Sequence, residues 1–596
     1  MVPSSPPTAT RVQVDDQATG IAARVEALLQ RMTLAEKIGQ MTLIEKNSLT
    51  PELVRELAIG GVLSGGGGYP TVNSPTSWAA MVNAFQQAAL STRLGIPILY
   101  GADGVHGHNN LYGAVIFPHN IGLGAANDPL LMEQIGRVTA IEMAATGVLW
   151  NYAPGVMVPQ DVRWGRTYEG YAERPEHVAV LASAFLRGLQ AVDVVAPQRV
   201  IGTPKHFLGD GGTAWGSSTT ENYQLDQGET IGDEATMREI HLPPYQALID
   251  AGALVVMASY SSWQGTKMHA SGYWLTDVLK GELGFTGFIV SDWAAIDQID
   301  PNYDRAVVTA INAGIDMNMV PYDARRFIAA LTRAVQAGAV SEERINDAVR
   351  RILTVKMTMG LFEHPFAATE LIAQIGSPAH RELARLAVAK SLVLLKNDQQ
   401  LLPLAKTTPR LFIGGQAAHD AGIQAGGWTI EWQGKTGPII PATTVLEGIQ
   451  AAVSPQTLVE YSRDGRFNGD PGASDAVCIA VVGELPYAEG RGDSAQLSLP
   501  LAEQRTLERM EASCARLVVV LITGRPLLIT EALPHWDALV VAWLPGSEGA
   551  GVADVLFGDR PFTGRLPVTW PRSLAQLPLG SGAGEPLFPY GFGLQP

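Results

Sequence analysis

A chain of 596 residues with a formal net charge of −16 and only two cysteines has room for two or three domains, repels phosphate backbones, and is no small disulfide-built scaffold. No block of Lys and Arg offers a nucleic-acid footprint. No apolar run reaches the ~18 residues of a membrane-spanning helix, so neither nucleic acid nor membrane is expected as a partner.

Residues 1–20 read as a polar tail. MVPSSPPTAT is rich in Pro and Ser and lacks the apolar core of a secretory leader. The expectation is a periplasmic or secreted protein if a leader has been removed, and a cytoplasmic one otherwise. Residues 21–32 carry apolar side chains at helical spacing, and Thr33-Leu-Ala-Glu36 is a capping box that opens a second helix.

Short apolar runs then alternate with helical stretches at 61–64, 96–103, 148–154, 200–207, 254–260, 288–293 and 315–321. Strand–helix units in series imply a parallel sheet, and seven or eight of them favour a closed (β/α)8-type barrel over residues 21–366. Asp103, Lys205 with His206, Tyr260 and Asp292 stand at the C-terminal ends of such runs, which in a barrel share one face. Residues 367–380 read as a linker. A second α/β region, 381–596, has apolar runs at 392–395, 411–413, 476–482, 517–522 and 538–544, and reads as an open, mostly parallel sheet covered by helices.

The glycine run 65–68 lacks the phosphate-loop pattern, and His106, His108 and His119 lack zinc-ligand spacing, so neither cofactor nor metal is expected. Cys478, in an apolar run, and Cys514 read as two inert thiols. Asp292, between Ser291 and Trp293, is either a structural acid that caps the next helix or a working carboxylate at a strand end; the flat indole beside it suits a sugar ring. The loop Gly483-Glu-Leu-Pro-Tyr-Ala-Glu-Gly-Arg-Gly-Asp493 follows a buried strand and holds Glu484, Glu489 and Asp493. Spacing does not choose among the three.

Longer motifs carry a resemblance. Gly101-Ala-Asp-Gly-Val-His-Gly-His-Asn-Asn110, Arg163-Trp-Gly-Arg-Thr-Tyr-Glu169, Lys205-His-Phe-Leu-Gly-Asp210, Val290-Ser-Asp-Trp293, Gly426-Gly-Trp-Thr-Ile-Glu-Trp432 and the 483–493 loop resemble the two-domain β-glucan exohydrolases of glycoside hydrolase family three. The resemblance implies an (α/β)6 sandwich after the barrel, with a pocket between them. It implies a retaining, exo-acting β-glucosidase or exo-β-glucanase that releases glucose from β-glucans and β-gluco-oligosaccharides. Asp292 falls on the family's nucleophile and Glu489 on its acid/base. Asp103, Arg166, Lys205, His206 and Tyr260 match residues of the glucose subsite, with Glu221 as a further acidic neighbour. Trp293 and Trp432 match a pair of indoles that clamp the next sugar. Gln298 stands where close plant relatives carry an Arg, and those relatives' cysteine pairs are missing, so no disulfide carries over. The competing readings are a β-xylosidase or N-acetylglucosaminidase of the same family, or an inactive carbohydrate-binding homologue.

Overall fold

The computed structural model describes residues 20–195, 198–582 and 584–595, so nearly all of the expected tail lies outside the described residues. A helix at 20–29 leads to the capping box. The Thr33 hydroxyl accepts the Glu36 N–H, the Glu36 carboxylate accepts the Thr33 N–H at 2.8 Å, and the helix Leu34–Gln40 follows.

Eight parallel strands then close a barrel: β1 (Thr42–Glu45), β2 (Gly61–Ser64), β3 (Leu99–Ala102), β4 (Trp150–Asn151), β5 (Ile201–Gly202), β6 (Val255–Met257), β7 (Phe288–Val290) and β8 (Asn318–Met319). Ladders join β8 to β1 and run on through β5, and β6 pairs with β7. The bridges Phe207↔Ala258 and Val290↔Met317 shut the two remaining seams. All seven expected runs contain a strand. The eighth, β1, is Thr-Leu-Ile-Glu, buried at every position although its ends are polar.

The second sheet runs β9 (Val393–Asn397), β14 (Ala538–Trp543), β13 (Leu517–Ile522), β12 (Ala476–Gly483), β10 (Arg410–Gly414), β11 (Leu458–Ser462), and only β9 is antiparallel. Central β12 is buried along all eight residues, as a strand covered on both faces must be. Edge strand β11 is half exposed and left no apolar run to find.

The reading of two thiols is corrected. Cys478 in β12 and Cys514, at the end of the helix Leu501–Ser513, form a disulfide. The helix returns beside the strand and brings the Cα atoms to 6.1 Å, within bridging reach.

Candidate active site

The C-terminal ends of the barrel strands open into a cavity of about 620 Å³. Asp103 follows β3, Arg166 stands on the loop after β4, Lys205 and His206 follow β5, Tyr260 follows β6, and Asp292 and Trp293 follow β7; all line the cavity. The second domain completes the wall with Trp432 and Glu489. Glu221 does not belong to it. That side chain is exposed on the loop beyond β5 and lines no part of the cavity, and the buried acid nearest to it along the loop is Asp226.

Asp292 is held from both sides of its own backbone. Its N–H donates to Nε2 of His269 at 3.0 Å, and its Oδ1 accepts the Trp293 N–H at 2.7 Å. Burial pushes His269 down to about 3, so the ring is neutral and free to accept. Oδ2 lies 3.6 Å from Nε2 of His206, whose Nδ1 meets Asp210 at 2.8 Å. Burial also holds His206 well below the usual imidazole range, which makes this contact a steric and polar one and not a charged pair. Beside it Lys205 Nζ donates to Asp103 Oδ1 at 2.6 Å.

The structure separates the three acids of the 483–493 loop. Glu484 is fully engaged: Oε1 accepts from Arg525 Nε at 3.0 Å, and Oε2 accepts from the Thr523 and Tyr487 hydroxyls and the Gly524 N–H. Asp493 is engaged by backbone: Oδ1 accepts the Gly165 N–H at 2.9 Å, and Oδ2 accepts those of Gln224, Leu225 and Asp226 at 2.7–3.1 Å. Glu489 faces the cavity with one side-chain partner, Arg166 Nη1 at 3.4 Å. Its φ of +56° is a left-handed conformation that a non-glycine residue keeps only when its surroundings hold it. Those surroundings are tight. A Cβ on Gly165 would stand 1.9 Å from the Glu489 carbonyl oxygen, and one on Gly490 would enter the Tyr223 ring.

Asp226 went unnoticed in the sequence. It is buried, accepts the Trp164 indole N–H and the Gly490 N–H at 3.0 Å each, and so ties the barrel to the residue after Glu489. Nothing in Leu-Asp-Gln-Gly marks it; only its partners do.

The electrostatics put the two facing carboxyls in a fixed order. Burial lifts Asp292 to about 6, with Arg166, the Trp293 N–H and Lys205 pulling back. Burial lifts Glu489 further, to about 8; Arg166 opposes this, while the negative charges of Asp226 and Asp292 add to it. Between those values Asp292 is the carboxylate and Glu489 the carboxylic acid.

The glycine run 65–68 explains the aromatic wall. A Cβ on Gly65 would reach within 3.0 Å of the Trp293 ring, and one on Gly66 within 2.7 Å of Trp432 Cα. Small residues let both indoles close on the cavity. Arg491 covers Trp432 at 4.8 Å. Gln298 lies outside, exposed, and donates to the Gln227 side chain at 3.2 Å. The histidine cluster is structural: His106 and His119 stack at 3.7 Å and bond to the Phe117 and Gly427 carbonyls, and His108 meets Thr146. Among the described residues no three His, Cys, Asp or Glu side chains converge as a metal site, and no helix is long and apolar enough to cross a membrane.

Comparison with known proteins agrees along the whole chain. The sequence models of the glycosyl hydrolase family 3 N-terminal and C-terminal domains match residues 33–355 and 392–595. The exo-1,3/1,4-beta-glucanase (ExoP) of a Pseudoalteromonas species, solved as a mutant, superposes with a TM-score of 0.90 at 39% identity, covering 97% of this chain and 95% of that one. A mutant beta-glucosidase of Listeria innocua, solved in complex with laminaribiose, gives 0.82 at 26% identity over 96% of this chain and 83% of its own. The periplasmic beta-glucosidase of Salmonella typhimurium is 30% identical over 96% of this chain and 80% of its own length.

Proposed function

The chain belongs to glycosyl hydrolase family 3, and on that premise we propose that it acts as an exo-β-glucosidase, releasing single glucose units from the non-reducing ends of β-gluco-oligosaccharides and β-glucans by double displacement. It is a glycoside hydrolase; the roles assigned to its residues are our reading. Asp292 attacks the anomeric carbon and forms a glycosyl-enzyme while Glu489 gives its proton to the leaving oxygen. Glu489 then takes a proton from water, which releases glucose with its β configuration kept. The observation that carries this reading is the pair itself: two largely buried carboxyls on one cavity, their side chains 13% and 19% exposed, with the nucleophile's titration below that of the acid. Asp103, Lys205 and His206 supply hydroxyl-binding groups at the cavity floor, and Trp293 with Trp432 offers two apolar faces to the next sugar.

A neutral β-glucan suits an acidic chain, and the laminaribiose complex of the Listeria enzyme supports a β-linked disaccharide as the minimal natural substrate. The Cys478–Cys514 disulfide and the periplasmic relative support an oxidising compartment outside the cytoplasm. The test is hydrolysis of p-nitrophenyl β-glucoside beside the β-xyloside and the N-acetyl-β-glucosaminide. Fastest turnover of the glucoside is expected. A higher kcat/KM on either of the others would assign the pocket to that sugar, and no turnover of any would make the chain a binding protein.

A further inference from the structure

We propose that Tyr322 is the platform for a third sugar, so that this enzyme prefers β-gluco-oligosaccharides of three or more units. The inference rests on the exo-β-glucosidase reading and deepens it. Tyr322 follows β8, two residues past Val320, at the rim of the barrel face that carries the nucleophile, and it lines the same cavity. The residue is 69% exposed, yet its ring is held: its hydroxyl accepts the Trp293 indole N–H at 2.9 Å, and the two rings stand edge-to-face with centroids 5.7 Å apart. Ordering a side chain costs rotamer entropy that an exposed ring does not recover by burial. A flat, fixed, solvent-facing ring is what the apolar face of a pyranose stacks on, and Tyr provides such a face at low entropic cost.

Position decides which sugar. Asp292, with 13% of its side chain exposed, marks the cavity floor, where the non-reducing glucose reacts. Trp293 is the next residue, half-buried, and meets the second sugar opposite Trp432. The Tyr322 ring centroid stands 5.7 Å from that of Trp293, about the length of one sugar unit, and Tyr322 is the more exposed of the two residues. Asn47, Ser48 and Gln227 also line the cavity, and their uncharged amide and hydroxyl groups suit sugar hydroxyls.

The test compares kcat/KM on an aryl β-glucoside, a β-linked glucose disaccharide and the matching trisaccharide for the wild type, Tyr322→Ala and Tyr322→Phe. The wild type should favour the trisaccharide over the disaccharide. Tyr322→Ala should lower that ratio by roughly three- to tenfold, the worth of one aromatic stacking contact, and should do so through KM. Tyr322→Phe keeps the ring and should keep the preference. If Tyr322→Phe loses as much as Tyr322→Ala, the hydroxyl only braces Trp293 and the third-sugar role is wrong. An equal loss on all three substrates, or no wild-type preference for the trisaccharide, overturns it too. Failure of the wild type on every β-glucoside would instead overturn the parent reading.

Discussion

The Asp226 carboxylate accepts the peptide N–H of Gly490 at 3.0 Å, so a barrel acid grips the backbone beside the proposed proton donor, Glu489. The same negative charge holds the Glu489 carboxyl up. The wild-type kcat/KM should therefore trace a bell, rising through about 6 as Asp292 ionises and falling through about 8 as Glu489 loses its proton. Asp226→Asn removes the charge and keeps an oxygen for the Gly490 N–H, at the cost of the bond that the other carboxylate oxygen accepts from the Trp164 indole. The Glu489 carboxyl then ionises more readily, and the alkaline limb should move to lower pH while the acid limb moves less. An alkaline limb that stays in place would show that the charge of Asp226 does not reach Glu489.

Glu489→Ala should separate substrates by leaving group. A disaccharide needs protonation and should lose several decades of turnover, while an activated aryl glucoside should still form the glycosyl-enzyme. Azide should then restore turnover and give a β-glucosyl azide, because it attacks an α-linked intermediate. An α-azide would overturn double displacement.

Glu484→Ala should act on stability and not on proton donation. It would leave Arg525, which is buried, without its carboxylate, and breaking such a pair costs roughly 3–5 kcal/mol. A large fall in melting temperature is expected, with no azide rescue. Glu484→Gln should recover part of the loss. Azide rescue of the Glu484→Ala variant would transfer the acid/base role to Glu484.

The bridge between Cys478 and Cys514 closes a loop with a sequence separation of 36, which corresponds to roughly 4 kcal/mol of chain entropy taken from the unfolded state. Alkylation in denaturant without reductant should label no cysteine, and after reduction it should label both. Cys478→Ala with Cys514→Ala should unfold at a lower temperature. Two free thiols in the oxidised protein would refute the bridge and the compartment argued from it.

The barrel was legible because strand ends repeat at regular spacing and carry polar residues on one face. Asp103, Lys205, His206, Tyr260 and Asp292, which line the cavity, all stand out by their places at strand ends. What escaped detection shares a different cause. β1 is short and polar at its ends, so tertiary burial and not pattern makes it a strand, and β11 is a half-exposed edge strand held by its ladder to β10. Glu221 and Asp226 lie five positions apart on one loop, and only its folded path turns the second inward. Sorting Glu484, Glu489 and Asp493 required knowing which backbone N–H groups and which arginine arrive from segments far away in sequence. Cys514 meets Cys478 through a helix return that spacing alone does not disclose.

Asp493 binds four peptide N–H groups of the barrel, while Asp226 of the barrel binds one of the loop. Each half thus holds the other by its backbone, and the proposed nucleophile and acid come from opposite partners. The proposed catalytic centre is therefore a property of the docked pair and belongs to neither half. Turnover serves as a gauge of docking: on warming, it should vanish when the halves part, while each still keeps its own secondary structure.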